Sequence, residues 1–401
     1  MSATRSYHIG LFLLCFISNA MGGAVSTLMS VYLPVAVKDL LGTTEQGYID
    51  TISAYINALF IVGWAMGGFI WGMIGDTGGR KLALLLSIAC YGLFTVATGM
   101  ADSWGMVLLC RFMSGFGVGG VLVTSVTLLT EVWPDKSKAI FIGILSIAFP
   151  VGIFSAGLIN YFVDSWREGF LIGLIPLAMS ISGIFFLQES AHWKSTGTRL
   201  SGNSVRLVFT AAYRRDLLLG SLTFGTMLIG LWAIFSWLPT WVQSISGSAD
   251  AQKERGLSMM LLGMAGLTGG FFSGWLAKAI GMRKSMILCF SVCVVLSFVL
   301  FKTNKVFSPV IYPQIAGLAL FFGASQGVLS SYIPQLFPST IRATATGFCF
   351  NIGRLFTAAA VLSVGILVHT LGGYGNAIFI FSLVFIPGLL VILFIKHKKT
   401  N

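Results

Sequence analysis

Charge is what this chain has least of. Asp, Glu, Lys and Arg make up only 9% of its 401 residues, against roughly 25% in a soluble domain. Acids are the scarcer sign, with 13 Asp and Glu beside 25 Lys and Arg, and none of the 13 falls in the middle of an apolar run. The six cysteines all lie inside such runs, without metal-ligand spacing or the look of a disulfide framework. Of the four histidines, His8, His192 and His397 fall in tails or the linker, and His369 near the end of a run. No paired acids, His/Cys cluster or Ser/His arrangement stands at membrane depth, and no G-x-x-x-x-G-K-[ST] phosphate loop occurs. These absences exclude a soluble globular domain and argue against a membrane enzyme or an ATP-driven pump. No cofactor and no metal are expected.

What is present is apolar length. The chain is 56% hydrophobic with a mean hydropathy of +0.89. Its runs are too long and too uniform for barrel strands, which alternate, so helices are the expected spans. Twelve are predicted, at about 9–36, 48–74, 82–100, 104–130, 139–162, 169–187, 217–242, 256–280, 285–301, 308–336, 343–371 and 376–395. The first has no obvious cleavage site and reads as a span, not a signal peptide. The long internal segment 188–216, holding Lys194, Arg199, Arg206, Arg214 and Arg215, reads as a cytoplasmic linker between two six-helix domains, 1–187 and 217–401. With both termini inside, the inner side collects most of the Lys and Arg, including Lys396, Lys398 and Lys399 in the tail. That bias accounts for the net charge of +12 without a nucleic-acid partner, and the expected location is a bacterial cell inner membrane.

Two loops give the chain an internal repeat. Gly72-Met-Ile-Gly-Asp76-Thr-Gly-Gly79-Arg80-Lys81 joins predicted spans two and three, and Gly75, Gly78 and Gly79 are expected to turn the backbone there. Gly274 through Gly281 to Arg283 and Lys284 repeats its spacing in the second half, with Lys278 in the place of Asp76. A second pair follows: Glu131-Val-Trp-Pro134 then Lys138, and Gln335-Leu-Phe-Pro338 then Arg342. Matched spacing in both halves points to duplication.

The first loop resembles the signature loop of the major facilitator superfamily, G-x-x-x-D-[RK]-x-G-R-[RK], departing from it at Thr77. Arg111-Phe-Met-Ser-Gly115-Phe-Gly117-Val-Gly119-Gly120 is similar to that family's fourth helix. Phe337 to Thr344 together with Asn351-Ile-Gly-Arg354 resembles the branch of sugar, aromatic-acid, nicotinate and sialic-acid carriers. The resemblance implies an all-α membrane protein: twelve transmembrane helices in two pseudo-symmetric six-helix bundles around a central cavity that opens alternately to each side. In several members the arginine matching Arg111 pairs with an acid on the first helix, which here offers Asn19 instead.

Intramembrane charge is costly, about 3 kcal/mol per residue on insertion scales, and two cations stand in mid-span: Arg111 and Arg354. At 1.5 Å per residue Arg354 lies about 18 Å beyond Arg342, near the midplane. A guanidinium suits a carboxylate because its planar fork makes two parallel bonds. Arg354 is read as a substrate ligand, while Arg111 reads equally as ligand or as packing residue. Asn351 shares a helix face with Arg354; Asn19, Gln326 and Trp237 are further candidates for the substrate. Asn19, Gly23, Ser26 and Ser30 repeat at helical spacing, which fits a cavity lining or close helix packing. Gly63 and Gly67 are assigned to helix packing, and Pro239 is expected to break span seven near its outer end. Gly72, Asp76, Gly79, Arg80, Lys81, Glu131, Arg283 and Arg342 are assigned to gating and conformational change, with Glu131, Asp76, Arg80 and Lys81 as an inner gate.

The leading expectation is a secondary transporter of a small organic anion, with a proton as candidate co-substrate and membrane lipid as surroundings. The alternatives are a neutral sugar or polyol carrier, drug efflux, and a non-transporting sensor on a carrier fold.

Overall fold

An apolar chain in hydrocarbon must pair every backbone N–H and C=O within itself, and a helix does this segment by segment. In the computed structural model, residues 2–196, 208–248, 251–338 and 341–394 are described, and among them every regular element is a helix. Arg199, Arg206, Ser339, Thr340, Lys396, His397, Lys398 and Lys399 lie outside the described residues.

Among the described residues, twelve helices are long and apolar enough to cross a membrane. They are span 1 (Ser6–Leu41), span 2 (Gln46–Gly78), span 3 (Arg80–Gly99), span 4 (Trp104–Val132), span 5 (Ile140–Phe162), span 6 (Trp166–Phe186), span 7 (Arg214–Ser246), span 8 (Gln252–Ile280), span 9 (Met282–Thr303), span 10 (Ile311–Leu336), span 11 (Thr344–Leu367) and span 12 (Tyr374–Leu393). The all-α, twelve-span architecture is the expected one. Two compact units divide the chain: Met1–Leu200 with Leu238–Gln243 and Ser248–Gly263, and Ser201–Trp237 with Ser244–Gly247 and Met264–Asn401.

Within the first unit, spans 2 and 4 pack with backbones in contact. A Cβ on Gly63 would strike the carbonyl oxygen of Phe112, and one on Gly67 that of Phe116. The seam is reciprocal, since Gly115 lies on the Phe60 carbonyl and Gly119 on that of Trp64. Spans 1 and 5 meet the same way, through Gly23 against Phe149 and Gly152 against Ala20. The second unit repeats both seams. Gly269 faces the Leu320 carbonyl and Gly323 that of Gly266, joining spans 8 and 10, and Gly353 of span 11 sits against Gly225 of span 7. Small residues let membrane helices approach closely enough for dispersion between backbones to hold them.

Several local expectations change. Span 2 stays helical to Gly78, so Gly75 and Gly78 do not turn the chain; Gly79 alone does, at φ +113°, and Gly281 matches it at φ +85°. One left-handed residue is enough to reverse direction between two helices. Span 7 runs unbroken through Pro239. A span tolerates proline where neighbouring helices enclose the freed carbonyl, and Leu238, Thr240, Trp241 and Val242 around it are all buried. Trp241, two residues on, is 2% exposed. Two charges that read as lying at or beyond span ends are also interior. Asp50 of span 2 and Arg255 of span 8 are each 1% exposed, with Gln46 donating to Asp50 at 2.8 Å and Arg255 donating to the Gln243 side chain.

Candidate functional site

The 72–81 loop is built around one guanidinium. Gly79 turns the chain, so Arg80 opens span 3 close to the last turn of span 2 and the end of span 4. Arg80 pairs with Asp76 four residues back, and its Nε lies 3.1 Å from Glu131 Oε1. Asp76 is half exposed, whereas Glu131 is only 13% exposed. The Arg80–Glu131 contact is therefore the one better shielded from solvent, which favours it over the surface pair. The structure brings together Asp76, Arg80 and Glu131 of the expected gate. Lys81 turns away and donates from Nζ to the Ile184 carbonyl at 2.9 Å. Gly72 is an ordinary helical residue, with Val123 3.8 Å from where its Cβ would be.

Sequence reasoning missed Glu189. Its carboxylate accepts the backbone N–H of Arg80 at 2.8 Å and that of Lys81 at 3.1 Å. These are orphan donors of the first turn of span 3, where the helix dipole also favours an anion. A Cβ on Gly79 would collide with that carboxylate, so the position excludes a side chain on steric as well as conformational grounds. Trp193 adds a bond from its indole N–H to the Asp76 carbonyl at 2.9 Å. The available signal was an acid directly after span 6, at the head of an otherwise basic segment. Glu189→Ala is expected to cost about 1 kcal/mol of local stability, as for other caps. Amide exchange at residues 80 and 81 should quicken about fivefold, since 1.4 kcal/mol is tenfold; exchange equal to wild type would refute the cap.

In the second-half copy the cations reach main-chain oxygens. Arg283 donates to the Ile392 carbonyl at 3.2 Å and to that of Leu393, and Arg342 donates to the Phe337 carbonyl at 3.2 Å. Both cations close helix ends through main-chain oxygens.

Arg111 is fully enclosed in the first unit. It is 1% exposed, donates from Nη1 to the Val25 carbonyl at 3.0 Å, and lies over the Phe60 ring at 4.1 Å. Its buried Nε has no partner among the described residues. A carbonyl and an aromatic face together hold the cation, which ties span 4 to spans 1 and 2.

Arg354 and Asn351 come together in the second unit. Asn351 Oδ1 accepts from Arg354 Nη1 at 2.8 Å, while its Nδ2 donates to the Gly347 carbonyl at 3.0 Å. The guanidinium is thus held along span 11. Gln326 of span 10 is part-buried, and its Nε2 has no partner among the described residues. Trp237 is fully buried, donates to the Val361 carbonyl at 3.0 Å and stacks on Tyr374 with centroids 5.9 Å apart. That commits its indole to packing against spans 11 and 12.

Asn19 lies beside a small cleft in the first unit, with Gly22, Val118, Val121 and Leu122 among its walls. Trp64 and Phe149 complete it as a stacked pair with centroids 5.4 Å apart and planes 25° from parallel. Gly23 and Ser26 are turned to packing: Gly23 meets span 5, and Ser26 donates to the Gly22 carbonyl at 2.6 Å.

Comparison with known proteins agrees with this picture. A family model described as Major Facilitator Superfamily matches residues 11–360. The chain is 27% identical to a cis,cis-muconate transport protein of Acinetobacter baylyi (strain ATCC 33305 / BD413 / ADP1), covering 97% of this chain and 94% of the relative. It is 26% identical to the niacin transporter NiaP of the same strain, over 92% of this chain and 90% of the relative. In fold it resembles the xylose transporter XylE from E. coli in its inward open conformation, with a TM-score of 0.79, 15% identity and 98% of each chain covered.

Proposed function

Because the chain belongs to the major facilitator superfamily, we propose that this multi-pass membrane transporter carries a small organic anion, a carboxylate, by alternating access. It is a carrier and not an enzyme, as its family and relatives are. The observation that carries the choice of anion is the Arg354–Asn351 pair. A cation placed in a membrane span is expensive and tends to mark a substrate path. Asn351 orients the guanidinium fork, which suits the two oxygens of a carboxylate. The names of the relatives, muconate and niacin, support the same chemistry.

In this reading Arg111 is the structural cation, spent on the Val25 carbonyl and the Phe60 ring, and Arg80, Glu131, Asp76 and Glu189 form a latch on the cytoplasmic side. The excess of Lys and Arg in the loops on that side supports cytoplasmic termini in a bacterial inner membrane. A proton is the co-substrate, so an inward proton gradient imposed on proteoliposomes should raise initial uptake severalfold; equal rates with and without the gradient would remove the proton from the scheme.

The function itself is tested by counterflow. Proteoliposomes loaded with unlabelled carboxylate should accumulate the labelled compound transiently. Binding of the carboxylate without exchange would identify a sensor and overturn the proposal.

A further inference from the structure

We propose that the turn between spans 8 and 9 is a docking surface for an anionic phospholipid, which lays an acyl chain along span 8 and seats its phosphate beside Gly281. The inference is independent of the substrate and uses residues of the second unit alone. It begins with an exposed face. Phe271, Phe272 and Trp275 of span 8 are 54%, 55% and 58% exposed, and their rings pack on one another with centroids 5.2 to 5.5 Å apart. Phe271, Trp275 and Lys278 succeed one another at helical spacing, so they share a face. At 1.5 Å per residue that face runs about 10 Å from the first ring to the lysine. Lys284 stands across the turn, in the first turn of span 9. Both lysines are exposed, and neither ammonium has an ion-pair or hydrogen-bond partner among the described residues.

Rings along the helix and ammonium groups at its end match a molecule that is apolar along its chain and negative at its head. The first-half turn shows what such a position takes. There the backbone N–H groups of Arg80 and Lys81 donate to the Glu189 carboxylate, and a Cβ on Gly79 would collide with that group. Gly281 has the matching left-handed backbone, at φ +85°, yet a Cβ on it would meet no atom within 4 Å. No side chain among the described residues caps the first turn of span 9. Lys278 also stands in the place of Asp76. The two turns share a backbone and differ in charge. The first carries its own anion; the second presents the same orphan donors beside two exposed lysines, an arrangement that favours an anion. Arg283 is not one of its ligands, since its guanidinium is held by the Ile392 and Leu393 carbonyls. The aromatic face leading to the lysines selects a lipid over a free phosphate.

The test titrates detergent-solubilised full-length protein with dioctanoyl phosphatidylglycerol and with dioctanoyl phosphatidylcholine, and reads the melting temperature. The two lipids share their chains and differ in the charge of the head. Each Lys near an anionic headgroup is worth about fivefold in affinity, so wild type should bind the phosphatidylglycerol at least about tenfold more tightly. Replacing both lysines, Lys278→Gln with Lys284→Gln, should bring that ratio below about threefold. The lipid-free protein should melt as wild type, because both side chains are exposed. Trp275→Ala should weaken both lipids alike and keep the ratio, which separates chain from head. Lys305 is exposed in the loop after span 9, and Lys305→Gln should leave the ratio unchanged. Equal affinities of the two lipids in wild type, or a ratio that survives the double replacement, would overturn the site. An equal loss in Lys305→Gln would do the same, by showing diffuse attraction to net charge. So would displacement of the lipid by inorganic phosphate at equal concentration, since a free anion has no use for the aromatic face.

Discussion

Arg354→Gln abolishes carboxylate binding and uptake. The substitution removes the charge and the fork while keeping a side chain of similar reach. Truncating one partner of a buried charge pair typically costs about 2–5 kcal/mol, so the dissociation constant of a bound carboxylate should rise at least about thirtyfold and counterflow should disappear. Arg354→Lys separates charge from geometry. An ammonium keeps the attraction but cannot make two parallel bonds, so a smaller loss of about tenfold is expected. Asn351→Ala should fall between wild type and Arg354→Gln, since it removes the Oδ1 that holds Nη1 at 2.8 Å. Thermal shift reads all three: carboxylates stabilise wild type, Arg354→Lys and Asn351→Ala in decreasing steps, and leave the glutamine variant where it melts alone. Carboxylate stabilisation undiminished in Arg354→Gln would remove the arginine from the site. Stabilisation by neutral sugars, equal in both proteins, would point to a sugar or polyol carrier.

Gly67→Val prevents assembly of the first unit. A Cβ at this position would overlap the Phe116 carbonyl oxygen and lie 2.7 Å from its carbon and 2.8 Å from Cα. These are backbone atoms of span 4, so no rotamer change relieves the clash; the two helices must separate along the whole seam. Separation would also loosen Gly63 from Phe112, Gly115 from Phe60 and Gly119 from Trp64. Overpacking a core with a movable neighbour costs about 1–3 kcal/mol, and this rigid case should exceed it, a large share of the 5–15 kcal/mol that holds a typical domain. Size-exclusion of the detergent-solubilised variant should show aggregate in place of a monodisperse peak. Gly67→Ala carries the same Cβ and should also lose the monodisperse peak. Gly72→Ala, whose Cβ would sit 3.8 Å from Val123, should melt as wild type. A monodisperse Gly67→Val melting at the wild-type temperature would show that spans 2 and 4 are not packed this way.

Much of the molecule was written in short-range pattern. The membrane class, the twelve spans and the matched turns at Gly79 and Gly281 follow from runs of apolar residues and from loops recurring at one spacing. Each is a property of consecutive residues: hydrocarbon demands some twenty apolar positions wherever a helix crosses it, and a reversal needs one left-handed residue. The Gly63–Gly67 spacing announced a close contact but not its partner, because a small residue permits approach without selecting what approaches. Partners were decided by the tertiary fold alone. Glu189 and Arg80 stand 109 positions apart, and Arg111 and Val25 stand 86 apart; no local window contains both members of either pair. The same reason explains Asp50 and Arg255, whose surroundings come from elements far off in the chain, and Pro239, which breaks a helix by its own chemistry but not where the surrounding structure encloses it. Asn19 completes the case. As a letter in the chain it is both donor and acceptor, and only the Cys15 carbonyl and the Ser125 hydroxyl, brought to it by the fold, settle which way its amide turns.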